Sequence, residues 1–284
     1  MSRPRPTAAG WSDGEPAPAK LNLALHVRAR RPDGYHDIET LFAFADHGDL
    51  LLGAADARLR LEIAGPFAIP LAPESDNLVL SAGRALRERL GIEAGARLRL
   101  EKRLPVAAGL GGGSADAAAA LRLLARMWRI DPDDPALGEI ATGLGADVPA
   151  CLRSRPAIGG GRGDRLEPLE GWGLEDTPLL IVNPGKPLAT AEVFAAWDGD
   201  VGGPMPADSL AGRNDLEVAA SRLMPEIGEV LAALRGIEGA RHARMSGSGP
   251  SCFALFDDEA ARDRAARKLA AAHPGWWICA TRLR

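Results

Sequence analysis

The chain has 284 residues and a formal net charge of −4, with 46% hydrophobic and 25% charged residues. These values are typical of a globular enzyme with a large apolar core, and they exclude the broad basic surface that nucleic-acid binding needs. No apolar run approaches the ~20 residues that a membrane span requires. We therefore expect neither nucleic acid nor a membrane as a partner.

The N-terminal residues 1–17 are rich in proline, glycine and alanine, and they contain no apolar run of the kind found in a signal peptide. We predict a flexible tail there. The three cysteines, Cys151, Cys252 and Cys279, form no CxxC pair, and the last two lie in apolar strand-like runs. This pattern favours buried, reduced thiols over disulfides or a metal site, and it indicates a cytoplasmic protein.

Both strands and helices are predicted along the chain, and we expect an α+β fold. A strand is predicted at 21–27, and Lys20, Asn22 and His26 share one of its faces because strand side chains alternate. The remaining predicted elements are strands at 97–104, 179–183, 251–256 and 276–283 and helices at 114–130, 215–235 (broken at Pro225) and 258–272. A glycine run near residue 160 suggests a boundary between a first domain over 18–160 and a second over 161–284.

Residues 105–114, the glycine segment, read Pro-Val-Ala-Ala-Gly-Leu-Gly-Gly-Gly-Ser and lead directly into the predicted helix. Such a loop lets backbone N–H groups approach an anion, and the helix start adds unpaired donors and the positive end of its dipole. We predict a phosphate site rather than a plain turn. No lysine follows the glycines as in a P-loop, the dinucleotide pattern fails at its last position, and the protein-kinase motifs are missing.

The glycine segment resembles the phosphate loop of the GHMP kinases, which include galactose, homoserine, mevalonate and phosphomevalonate kinases. The resemblance covers about residues 18–253 through segments in the family's order, at 18–23 with 33–36, 76–78, 102–105, 145–149 and 246–253. It implies a two-lobed GHMP kinase fold with the active site in the cleft between the lobes. It also implies ATP and Mg²⁺ as cofactors, although the sequence does not identify protein ligands for the metal.

Within the family, the segment Asp33-Gly34-Tyr35-His36 is similar to members that phosphorylate the 2-hydroxyl of a cytidine-diphosphate polyol, whereas homoserine and mevalonate kinases open differently. The resemblance therefore implies two small-molecule substrates, ATP and such a polyol. The ATP-binding residues that it implies are Pro105, Gly109, Leu110, Gly111, Gly112, Gly113 and Ser114, together with Asn77 and Lys102.

Asp147 and Lys20 are the candidate catalytic residues. Asp147 lies in a stiff loop between Gly145 and Pro149, where it could accept a hydroxyl proton or cap the following turn, and spacing alone leaves both open. Lys20 could be a solvated residue at the end of a strand, or it could keep the carboxylate ionised and neutralise the moving phosphoryl group. The resemblance implies that the two form a catalytic pair.

The candidate substrate-binding residues are Asn22, Tyr35, His36, Thr190 and Phe194. Tyr35 could stack on cytosine or simply anchor its loop, and His36 could bond to the edge of the base. Phe194 is either the opposing plate, as the resemblance implies, or a core residue. Two rival functions share the glycine segment, namely a GHMP kinase with another alcohol substrate and a non-catalytic nucleotide-binding module. The presence of both Lys20 and Asp147 argues against the module.

Overall fold

The computed structural model describes residues 10–68, 77–206 and 208–284, and the chain divides into two compact units. The described residues form ten strands, eight α-helices and one 3-10 helix at Ser209–Ala211. Two of the strands are long: β1 (Asp13–Arg30) pairs with β2 (His36–Asp56), and each contributes residues to both units. The α+β class predicted from the sequence is confirmed.

The first unit contains Gly48–Val106, Gly111–Ser154 and the N-terminal segment that ends at Ala19. In it, the second half of β2 pairs antiparallel with β4 (Gly95–Glu101), and β4 pairs parallel with β3 (Leu59–Ala64). Its helices are α1 (Leu78–Leu90), α2 (Gly112–Met127), α3 (Pro135–Leu144) and α4 (Val148–Arg153). Helix α2 packs against the other three, and its many buried alanines allow this close approach.

The second unit contains Lys20–His47, Ala107–Leu110 and Arg155–Arg284. Here the first half of β2 pairs with β5 (Ala157–Gly160), which pairs with β6 (Arg165–Pro168). A separate antiparallel sheet has the order β10-β7-β9-β8, formed by Trp277–Arg282, Pro178–Asn183, Cys252–Phe256 and Ala240–Met245.

Four helices pack around this unit's apolar core, namely α5 (Thr190–Ala195), α6 (Glu217–Leu223), α7 (Glu226–Arg235) and α8 (Glu259–Ala272). The predicted break at Pro225 is confirmed, because the residue separates α6 from α7. Helix α8 begins where Asp258 accepts a hydrogen bond from the backbone N–H of Ala261 at 2.7 Å. A side chain that satisfies an otherwise unpaired N–H fixes the start of a helix.

The structure differs from the sequence prediction at the N-terminus, where residues 1–9 lie outside the described part of the chain. Residues 13–17, which we expected in a flexible tail, are the start of β1. They are held because Arg122 donates to Glu15 at 2.6 Å and Arg126 donates to Asp13 at 3.1 Å. The domain boundary near residue 160 stays a prediction. No described helix combines the length and the apolar character needed to cross a membrane.

Candidate functional site

The glycine segment has the backbone geometry of an anion site. Gly109 and Gly111 have φ values of 73° and 61°, in the left-handed region that favours glycine. Gly111 is the N-cap of α2, and no side chain forms a capping hydrogen bond there. The helix therefore begins at Gly112, two residues earlier than predicted, and its first N–H groups are left for water or a ligand. The predicted ATP-binding residues Gly112, Gly113 and Ser114 form this first turn.

A buried charge cluster lies beside that turn, in the first unit. Lys102 donates to Asp49 Oδ2 at 2.5 Å and to Asp116 Oδ2 at 2.8 Å, and the three side chains are almost fully buried. Asp49 Oδ1 also accepts the backbone N–H groups of Arg103 and Leu104 at 2.5 and 2.9 Å. A Cβ at Gly112 would lie 3.4 Å from Lys102 Nζ. The cluster thus fixes the chain just before the glycine segment and supports the start of α2.

Burial and charge act in opposite directions in this cluster. Burial lowers the pKa of Lys102, but Asp116 and Asp49 more than offset this and leave the pKa above its usual value. Burial raises the pKa of Asp116 to about 8, against the lowering effect of Lys102. Asp116 Oδ1 is buried without a hydrogen-bond partner, which penalises the ionised form.

These contacts bear on two predicted ATP-binding residues. The bonds of Lys102 to two carboxylates give the side chain a structural task, so its contact with ATP stays a prediction. Asn77 is the N-cap of α1, where its side chain accepts the N–H of Val79 at 2.9 Å. Asp49 was missed by the sequence analysis, because nothing near it in the chain marks it as a partner of residues 53 or more positions away.

In the second unit, Lys20 and Asn22 contact two glycine-rich turns, one at Gly109 and one that begins at Ser246. Lys20 Nζ donates to Asn22 Oδ1 at 2.7 Å, and Asn22 Nδ2 donates to Thr40 at 2.7 Å. The side chain of Ser246 donates to Gly109 O at 3.0 Å and accepts the N–H of Asn22 at 3.2 Å. Lys20 is only 4% exposed, so the solvated alternative considered for it is wrong.

The backbone of Lys20 also joins the glycine segment, because its N–H donates to the carbonyl oxygen of Leu110 at 2.9 Å. The side chain of Leu110 is buried, so this predicted ATP-binding residue contributes to the core with its side chain. Pro105, another predicted ATP-binding residue, follows β4 and the buried Leu104. The ammonium group of Lys20 is therefore a buried cation whose position is fixed by its bond to Asn22 on the same strand face.

Asp147 immediately precedes α4 in the first unit, and it is half-buried. Its side chain forms no capping hydrogen bond, although its carbonyl oxygen accepts the N–H of Cys151 at 3.0 Å. The capping alternative left open by the sequence is therefore not used. The role of general base stays a prediction.

An aromatic group in the second unit contains three of the predicted substrate-binding residues, Tyr35, His36 and Phe194. Tyr35 is 50% exposed, and the guanidinium carbon of Arg162 lies 5.0 Å from its ring centroid. His36 stacks on Phe194 with centroids 4.8 Å apart, and Trp197 meets the edge of His36 at 5.6 Å. Burial first, and Arg30 second, lower the pKa of His36, which keeps its ring a neutral donor and acceptor at pH 7.

The sequence analysis missed Trp197, which lies two residues beyond the end of α5 and whose N–H donates to the carbonyl oxygen of Phe194 at 3.4 Å. Its closeness to Phe194 in the sequence was the available signal. Phe194 also packs partly against the core, which supports the core alternative considered for it. Its role as a plate for the base stays a prediction. Thr190 is exposed at the start of α5, and its hydroxyl lies 2.9 Å from that of Ser248.

Comparison with known proteins gives the family. The model of the GHMP kinase N-terminal domain matches residues 77–155, and the model of the GHMP kinase C-terminal domain matches residues 192–275. The chain belongs to the GHMP kinase family. The two matched GHMP kinase regions contain the glycine segment, Asp147 and Phe194, and this family membership implies the use of ATP.

Particular GHMP kinases resemble the chain over nearly its whole length. A 4-diphosphocytidyl-2-C-methyl-D-erythritol kinase of Rhizorhabdus wittichii is 57% identical over 95% of this chain and 94% of its own. A relative of the same name from Sphingopyxis alaskensis is 49% identical over 94% and 96%. A solved structure of 4-(cytidine 5'-diphospho)-2C-methyl-D-erythritol kinase matches with a TM-score of 0.80 and 36% identity over 95% of this chain and 98% of that one. The predicted GHMP kinase fold is confirmed.

Proposed function

We propose that the chain transfers the γ-phosphoryl group of ATP to the 2-hydroxyl of 4-diphosphocytidyl-2-C-methyl-D-erythritol. This reaction belongs to the non-mevalonate route to isoprenoid precursors. The observation that carries the proposal is the 57% identity over 95% of the chain with a kinase of that name. The aromatic group around Tyr35 and His36 supports it, because a pyrimidine base needs a stacking surface and a polar edge.

ATP binding is assigned to the glycine segment. The left-handed glycines bring the backbone close to the phosphates, and the uncapped start of α2 offers its first N–H groups. Phosphoryl transfer depends mainly on positioning and on neutralising charge, which such preorganised donors supply. Mg²⁺, when bound, would neutralise phosphate charge, and it usually takes one or two carboxylates along with phosphate oxygens. The described residues contain no cluster of three or more ligating side chains.

Asp147 and Lys20 are assigned to the chemical step. Asp147 would accept the proton of the substrate hydroxyl, because a carboxylate can serve as a general base and Asp147 lies in the region that matches the GHMP kinase N-terminal domain. Lys20 would offset negative charge on the transferred group, and its bond to Asn22 fixes the position of the ammonium. Asn22 would orient the acceptor hydroxyl, and Thr190 would contact the same substrate. The three cysteines are buried and none forms a disulfide within the described part of the chain, which supports a cytoplasmic setting.

The decisive experiment is an ATP-consumption assay with several alcohols offered side by side. We expect turnover with 4-diphosphocytidyl-2-C-methyl-D-erythritol and only background with homoserine, mevalonate and galactose. An Asp147→Asn protein is the control for contaminating kinases. Faster turnover with a non-nucleotide alcohol would replace the proposed substrate by that alcohol, and the absence of turnover with every alcohol would favour a nucleotide-binding module.

A further inference from the structure

Arg162 contacts the aromatic group, and the function proposed so far gives this arginine no role. It lies at the tip of the turn that joins β5 to β6, between Gly161 and Gly163. These glycines have φ values of 67° and 99°, which other residues rarely adopt. The carbonyl oxygen of Gly161 accepts the N–H of Ile38 at 2.7 Å, so the turn is fixed two residues from His36.

The guanidinium of Arg162 is held in place by Asp164. Arg162 Nε and Nη2 lie 2.9 and 2.8 Å from Asp164 Oδ2, and the backbone N–H of Arg162 donates to Asp164 Oδ1 at 3.2 Å. From this position the guanidinium carbon lies 5.0 Å from the centroid of the Tyr35 ring. That distance is within the ~6 Å range of a cation–π contact.

The backbone of Tyr35 is already fixed by its own turn. Its carbonyl oxygen accepts the N–H of Arg31 at 2.8 Å, and its N–H donates to Asp33 at 3.1 Å. Arg31 in turn pairs with Asp33 and with Asp37. The remaining freedom of Tyr35 is the rotation of a half-exposed ring, and Arg162 is the charged group that contacts this ring.

We propose that Arg162 is a positioning residue for cytosine, and that it covers one face of Tyr35 so that the base stacks on the other. This role rests on the proposed cytidine substrate. An ordered ring costs the complex less conformational entropy when the base binds. The stack of His36 on Phe194 supports the assignment, because centroids 4.8 Å apart leave no room for a base between them, which would need about twice the ~3.5 Å contact distance.

Direct binding of the substrate's diphosphate by Arg162 is less well supported. Two nitrogens of the guanidinium already contact Asp164, which also neutralises its charge. A phosphate-binding arginine needs its donor fork available for the anion. The two roles differ in one measurable respect, because only a phosphate contact would distinguish cytidine diphosphate from cytidine.

The test measures the binding of cytidine and of cytidine diphosphate by calorimetry in the full chain. We expect Arg162→Met to weaken both by the same factor, about three- to tenfold. Arg162→Lys, which keeps a cation but loses the planar fork, should lose less, and the KM for ATP should not change. Arg264→Met, on the exposed side of α8, is the matched control and should leave all these values unchanged.

A double-mutant cycle with Tyr35→Leu separates positioning from an independent contact. Arg162→Met should add less than a twofold loss in the Tyr35→Leu background, because the ring it orders is gone. The role is overturned if the affinity losses of the two single variants multiply in the double variant. It is also overturned if a folded Arg162→Met protein loses affinity only for cytidine diphosphate, or binds cytidine as the unsubstituted protein does. If the unsubstituted chain binds neither probe, the proposed substrate itself is wrong. Thermal unfolding of each variant confirms that it is folded.

Discussion

At the scale of single residues, the sharpest test concerns Asp147. Replacing it by asparagine keeps the shape of the side chain and removes its basicity, so turnover should fall by ~10²–10⁴-fold. ATP and the cytidine substrate should still bind, because the lost interaction acts mainly in the transition state. Turnover is measured at saturating substrate and binding by calorimetry. Near-normal turnover in Asp147→Asn would mean that the base is another group or that the step needs only positioning.

Lys20 provides an independent check of the same step. Lys20→Met should also slow turnover, and the double variant should lose less than the product of the two single losses, because residues that serve one transition state are not additive. Lys268→Met, exposed on α8, is the control. Fully multiplicative losses would indicate that Lys20 and Asp147 contribute to separate steps.

Asp116 makes a prediction about stability and pH. The folded chain raises the pKa of this carboxyl to about 8 from 3.8, so between these values the folded state holds a proton that the unfolded state has released. Stability then falls as pH rises through this window. Lys102, whose pKa is raised from 10.5, acts only above the window. We expect Asp116→Asn to gain stability relative to the unsubstituted protein as pH rises from 5 to 8.

Urea unfolding at each pH measures this effect. Asp133→Asn, at an exposed position before α3, should show the same pH dependence as the unsubstituted protein. If Asp116→Asn also keeps that dependence, then Asp116 is ionised in the folded state and the cluster carries a net negative charge.

At the scale of elements, two substitutions in the first turn of α2 distinguish an effect on ATP binding from an effect on folding. A Cβ at Gly112 would come 3.4 Å from Lys102 Nζ, so Gly112→Val disturbs the buried cluster as well as the phosphate site. A Cβ at Gly113 meets only Leu78 at 3.7 Å, and Gly113 is exposed. Gly113→Ala should therefore fold normally and still weaken ATP binding by about tenfold or more, because a methyl group blocks close approach of phosphate.

Gly138→Ala is the matched control for this substitution. It lies in α3, where nothing comes within 4 Å of the added Cβ. It should be slightly more stable, by up to ~1 kcal/mol, and bind ATP normally. Unchanged ATP affinity in a folded Gly113→Ala protein would remove the first turn of α2 from the ATP site.

Arg122 is one of the two arginines of α2 that hold the start of β1. Arg122 donates to Glu15 and to the carbonyl oxygens of Pro16, Cys151 and Leu152. Arg122→Met removes all four bonds, although Arg126 still pairs with Glu15 and Ser154 still donates to the carbonyl oxygen of Cys151. We expect the free energy of unfolding to fall by roughly 1–3 kcal/mol in urea titrations. Arg89→Met, which breaks only an exposed pair with Glu139, should cost less than about 1 kcal/mol. Equal effects of the two substitutions would mean that the bonds of Arg122 stabilise the fold no more than an exposed ion pair does.

At the scale of the whole molecule, local patterns predicted the elements better than their connections. The alanine-rich α2, the break at Pro225 and the start of α8 at Asp258 all follow from signals within a few residues. The buried role of Asp49 could not be predicted, because its partners are Lys102 and Asp116, far along the chain. The start of β1 was missed for the same reason, since its polar residues are held by arginines of α2.

The candidate site shows the same division. The glycine segment and Tyr35 were recognised as motifs, and the burial of Lys20 beside Asn22 required the fold. Arg162 and Trp197 lie far along the chain from Tyr35 and His36, and only the three-dimensional structure brings them into contact. Pairwise contacts between distant segments follow from strand pairing, which a short sequence window does not contain.

Because the two units alternate along the chain, they constrain which fragments and chimaeras of the protein can fold. Each unit is assembled from three separate stretches, and β1 and β2 contribute to both. A gene fragment that encodes only residues 155–284 would lack Lys20–His47, which contains strands of the same unit. A single recombination breakpoint between two relatives would therefore mix sequences inside both units, so functional chimaeras should require parents whose β1 and β2 are interchangeable.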